Sequence, residues 1–108
     1  MLSVSGVEWQ IVKVRSDSNE LMRSNGTYAL GCTDANVLTI FISNVLRGQL
    51  LWIVLCHEIC HAYCLSNHVV MPIEYEEQLC NFVAKYGQDI IDKTNQISGI
   101  LDSKYKMQ

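Results

Sequence analysis

The spacing of apolar and polar residues changes character near Val45. Before it, Val7 to Arg15 (VEWQIVKVR) alternates roughly between apolar and polar, which predicts a strand. Ser16 to Asn25 is polar and turn-rich, with a short helical turn expected around Glu20 to Arg23. The Asn25-Gly26 pair is a turn signal and places a second strand at Thr27 to Cys32. Asn36 to Ser43 (NVLTIFIS) is rich in β-branched residues and predicts a third. Tight connections between these strands imply a small antiparallel or mixed sheet.

From Val45 to Ser66 the pattern is helical. Leu50, Leu51, Val54, Leu55, Ala62 and Leu65 cover most of the circumference, so this helix is expected to be buried nearly all round. Pro72 suits the first turn of a following helix, which should run to about Tyr86, with Gly87 marking a break. Asp89 to Tyr105 then reads as a last helix whose apolar face is Ile90, Ile91, Ile97 and Leu101. Strands first and helices afterwards predict an α+β class.

Length and composition narrow the setting. A chain of 108 residues has room for one domain, residues 1–108, and for a shallow surface cleft that suits an extended peptide better than a small metabolite. Apolar residues at 49% with 18% charged describe a folded chain. The net charge of −3, without a run of Lys and Arg, gives no reason to expect nucleic acid or an anionic membrane. Met1 to Glu8 lacks the features of a signal peptide, and Leu50 to Leu65 is interrupted by His57, Glu58 and His61, so a soluble, cytoplasmic protein is expected. Cys32, Cys56, Cys60, Cys64 and Cys80 are odd in number, and the three on the helix trail along one stripe. They read as reduced, buried thiols.

Chemistry enters with His57-Glu58-Ile59-Cys60-His61, an HExxH motif on the helix. Histidines four residues apart lie about 40° apart around a helix and one turn apart, so both rings can reach one ion. Glu58 is turned about 100° from His57, beside such an ion, where a general base for an activated water belongs. A zinc site of this kind needs a third protein ligand. The pattern HExxHxxGxxH fails, with Cys64 and Asn67 in place of its Gly and final His, and a further histidine would have to be His68. Glu74, Glu76 and Glu77 remain. Glu74 shares a solvated face with Gln78, Asn81 and Lys85, whereas Glu76 and Glu77 both sit level with His61 if the two helices fold back on each other, about 7–8 Å from the turn. Periodicity does not separate those two. Asn81, one turn after Glu77, favours Glu77, because its amide could orient a ligating histidine.

Two blocks, Leu55-Cys56-His57-Glu58-Ile59-Cys60-His61-Ala62 and Glu77-Gln78-Leu79-Cys80-Asn81-Phe82-Val83-Ala84, resemble the gluzincin metallopeptidases. More narrowly they are similar to the small ImmA/IrrE-type enzymes of phages and mobile elements. The second block departs from that family's Glu-x-x-Ala-Asn-x-Phe-Ala at Cys80 and Val83. Gly31-Cys32-Thr33-Asp34, a turn leading into Thr39 to Ile42, also fits. The resemblance implies a zincin-like fold: a small three-stranded sheet packed on an active-site helix and a following glutamate helix. It implies zinc on His57, His61 and Glu77, Glu58 as general base, and a protein or peptide substrate, often a transcriptional repressor. Leu38, Thr39, Ile40, Phe41 and Ile42 would then form the edge strand that holds an extended substrate by backbone hydrogen bonds. Tyr28, Tyr63, Tyr75 and Tyr86 are available to stabilise an oxyanion, and the sequence does not choose among them. The competing expectations are a structural zinc module without turnover and a protein that keeps the shape and acts by contact alone.

Overall fold

The computed structural model describes the backbone of residues 1–106 and side chains through residue 102. It is an α+β arrangement in which β1 (Leu2–Val4), β2 (Val7–Val14), β3 (Gly31–Asp34) and β4 (Thr39–Ser43) precede α1 (Gly48–Ser66) and α2 (Ile73–Lys106). The sheet order is β1-β2-β4-β3. β1 and β2 form a hairpin in which Val4 faces Val7, closed by Ser5 and Gly6 at φ 51° and 82°. Two successive positive φ values are the signature of the two-residue turn that follows the natural strand twist. β2 runs parallel to β4, with Ile11 opposite Ile40, and β3 runs antiparallel to β4, with Cys32 opposite Phe41. The sheet is therefore mixed and has four strands, one more than the alternation predicts.

The segment between β2 and β3 carries a single 3-10 turn, Asn19–Leu21, and the isolated pair Met22–Tyr28. Thr27 to Cys32 is thus not one strand. Gly26 turns the chain at φ 84°, Asn25 Oδ1 accepts hydrogen bonds from the backbone and hydroxyl of Thr27, and pairing resumes only at Gly31. The third expected strand begins at Thr39 rather than Asn36, because Asn36 N donates to Asp34 Oδ1 in the β3–β4 connection.

Val4, Trp9, Ile40, Ile42, Leu46 and Ala62 make the buried core between the sheet and α1, joined by the half-buried Leu51, Val54, Leu55 and Ile59. Burying such side chains is worth about 1.5–3 kcal/mol each and is the main force that lays α1 on the sheet. Trp9 Nε1 donates to Ser66 Oγ at 2.9 Å and pins the end of α1 to β2. The helix is not buried all round. Leu50 and Leu65 are exposed, as are Trp52 and Tyr63, because one sheet face and the start of α2 cover only part of its circumference. By length and composition alone α1 could cross a membrane, and it carries Glu58 and His61 among its buried residues.

The expected break at Gly87 is absent, and α2 runs unbroken through it for 34 residues. A glycine inside a helix costs only about 1 kcal/mol, too little to end a helix whose neighbours favour it. Pro72 lies just before the helix rather than in its first turn, its carbonyl accepting from Tyr75 N and Glu76 N. The first part of α2 packs on α1 through the buried Cys80 and Ala84, and beyond Gln88 the described side chains are exposed.

Candidate metal centre

The loop from Asn67 to Pro72 folds α2 back onto α1 and brings the two acidic positions level with His61, as the helical rise requires. His57 Nε2 and His61 Nε2 point at a common spot, 3.1 Å apart. Glu77 joins them from α2, with Oε1 2.7 Å from His61 Nε2 and Oε2 3.4 Å from His57 Nε2. One donor atom from each of the three residues falls within 4.8 Å of the others. Ligands held about 2.0–2.1 Å from a tetrahedral zinc stand about 3.3 Å from one another, so the donor set suits that ion in chemistry, with a carboxylate shift of less than about 2 Å needed to bring one Glu77 oxygen level with both rings. His68 is no part of it. It sits exposed in the loop at φ 55°.

Glu58, one residue after His57, is buried and held from the sheet side. Thr33 Oγ1 on β3 lies 2.9 Å from Glu58 Oε1 and 3.0 Å from its carbonyl oxygen. Gly31 gives the carboxylate its space, since a Cβ at that position would lie 2.9 Å from Glu58 Cγ. Neither contact is visible in the sequence, because both cross from β3 to α1. The closest signal was the Gly31 to Asp34 segment itself, expected as a turn and found as a strand.

Of the two neighbouring glutamates, Glu77 opens to the cleft with 49% of its side chain exposed, whereas Glu76 is 12% exposed and lies against the other ring nitrogen of His61. Asn81 lines a second, adjoining cleft together with His57 and Glu77. Among the described residues no hydrogen bond joins it to either histidine, and the group at His61 Nδ1 is Glu76 instead. The cleft over the centre, about 720 Å³, is walled by Thr33, Glu58 and the three donor residues and is open to solvent.

The substrate strand needs correction. Leu38, Thr39, Ile40, Phe41 and Ile42 were expected at a sheet edge, but β4 is paired on both sides, to β2 and to β3, and its backbone groups are committed. Leu38 precedes it at φ 49° and accepts from Gln10 N. Ile40 and Ile42 are buried, and the parallel pairing with β2 on one side and the antiparallel pairing with β3 on the other make β4 an interior strand. The edge beside the cleft belongs to β3.

Comparison with protein-family models and with curated proteins gives no match for this chain. Fold and site together define an α+β domain with a candidate metal centre of two histidines and a glutamate.

Proposed function

We propose that the protein is a zinc-dependent endopeptidase with a zincin-like fold. It is similar to the gluzincins, and to the ImmA/IrrE-type enzymes among them, and cleaves a specific protein substrate such as a transcriptional repressor. One observation carries this reading: the convergence of His57 Nε2, His61 Nε2 and the Glu77 carboxylate beside a buried, tethered Glu58. A structural site gains nothing from a carboxylate that lies beside the donors without joining them.

His57, His61 and Glu77 would hold the ion. Zinc, when bound, supplies a Lewis acid that brings the pKa of a water towards about 7 and polarises a carbonyl. Glu58 takes the proton of the attacking water and delivers it to the departing amine. Its Oε1 is occupied by the Thr33 hydroxyl, which leaves Oε2 to hold and pass that proton. The free edge of β3 supplies backbone groups that hold the substrate extended along the cleft.

The test incubates zinc-loaded protein with candidate repressors and compares Glu58→Gln. The variant should keep its zinc and lose about 10²–10⁴-fold in turnover. Equal cleavage by the variant, or a wild-type protein that takes up no metal, overturns the proposal.

A further inference from the structure

We infer that Glu76 is a positioning residue for the metal centre: its carboxylate accepts a hydrogen bond from His61 Nδ1–H and so holds the ring with the Nε2 lone pair facing the ion. This rests on the metal reading above and extends it to a residue that does not touch the ion.

The argument starts from the imidazole. Its two nitrogens are chemically similar, and a ring free to rotate presents either one. Which nitrogen carries the proton is set by the hydrogen bond the other makes. At His61 that choice is made by α2. Glu76 Oε2 lies 2.6 Å from Nδ1, while Glu77 Oε1 lies 2.7 Å from Nε2. Consecutive helical residues diverge by about 100°, so two adjacent glutamates place one carboxylate on each side of the same ring. The two are not equivalent. The Glu76 and His61 side chains are 12% and 10% exposed, which makes their contact a closed one, whereas Glu77 is half open to solvent. Glu76 is also fixed at its root, since its amide donates to Pro72 O at the start of α2.

The cysteines complete the setting. Cys64 on α1 and Cys80 on α2 are buried, and both interact electrostatically with Glu76. Burial, first among the causes, pushes both thiols above their ordinary range, so they stay protonated and wall the carboxylate in without competing for the ion.

The experiment measures zinc dissociation constants by chelator competition for wild type, Glu76→Leu, Glu76→Gln and Glu77→Gln, and records ¹⁵N spectra of the His61 ring in the zinc-loaded wild type. Glu76→Leu should weaken zinc about 10–100-fold. Glu76→Gln, whose amide oxygen still accepts from Nδ1–H, should recover most of that loss, and the wild-type ring should show Nδ1 protonated. The absorption bands of cobalt-substituted Glu76→Leu should shift, which simple loss of packing would not cause. Unchanged affinity in Glu76→Leu, or zinc on Nδ1 in the wild type, overturns the inference. Should the leucine variant fail to fold, the glutamine variant and the wild-type tautomer still decide. Zinc bound through Glu77 with Glu76→Leu indistinguishable from wild type sinks this inference alone; no zinc on the wild type sinks the metal reading as well.

Discussion

Gly31 is the tightest point beside the candidate centre, where an added Cβ would meet Glu58 Cγ at 2.9 Å and Val54 Cγ1 at 3.0 Å. Gly31→Ala should therefore displace Glu58 and lower stability by about 1–3 kcal/mol; on the function proposed above it should also cut turnover while zinc affinity stays unchanged, because no candidate metal donor is touched. Calorimetric unfolding and chelator competition on the same variant separate those effects. Thr33→Val removes the hydroxyl that holds Glu58 Oε1 and keeps the shape of the side chain. That hydroxyl has one proton to share between Oε1 and the Glu58 carbonyl. A net hydrogen bond is worth about 0.5–1.5 kcal/mol, so on the function proposed above a fall in kcat of a few-fold to about tenfold with KM little changed is expected from steady-state kinetics. At this scale the histidine pair and Glu58 were legible because their spacing lies within one helix. Helical rise put Glu76 and Glu77 alike level with His61. Asn81, which favoured Glu77 in the sequence, makes no hydrogen bond to either histidine among the described residues; Glu77 is nonetheless the one that joins the donor group. Thr33 and Glu76 were not assigned these contacts: Thr33 meets Glu58 across 25 positions of chain, and the choice between two adjacent glutamates depends on which one is sealed by the packing of α1 on α2.

Elements follow the same division. β2 and α1 were readable because period-two and period-3.6 patterns persist long enough to be distinct. β1 was missed because three residues show no period, and only its pairing with β2 makes it a strand. The order of strands was beyond periodicity altogether. Ile40 and Ile42 are compatible with an edge or an interior strand, and the parallel pairing with β2 decides for the interior. Gly87 misled because a glycine weakens a helix without stopping it. Gly99, with open space around its Cα, gives the matching test. Gly99→Ala should stabilise the far half of α2 by about 1 kcal/mol, seen as slower amide exchange there, with no change in the melting of the sheet. Trp9 acts the other way, on the joint between elements. Trp9→Phe deletes the hydrogen bond to Ser66 and leaves a void, and denaturant unfolding should show a loss of about 1–3 kcal/mol.

For the molecule as a whole, stability should respond to two solution variables. On the metal reading proposed above, an ion shared by α1 and α2 would stabilise the folded state alone, by about 4 kcal/mol at a thousandfold excess over its dissociation constant. Chelation should then lower the melting temperature and speed amide exchange around Glu77 more than in β2. The second variable is alkali. Cys32, Cys56, Cys64 and Cys80 all have thiols pushed above the ordinary value of 9.0, chiefly by burial. A raised folded-state value means that their contribution is intact below about pH 9 and is lost as pH rises through the folded values, because only the unfolded chain releases those protons early. The denaturant midpoint should accordingly fall between pH 8 and roughly pH 10.

Among the described residues, the candidate donor atoms all come from His57, His61 and Glu77, on the two helices joined by the short link from Asn67 to Pro72, and none comes from the sheet. Ring closure over so short a contour loses little chain entropy. On the metal reading proposed above, an ion held there would clasp the two helices without a donor from the strands, so lengthening the β-half away from Gly31 and Thr33 should leave zinc affinity unchanged.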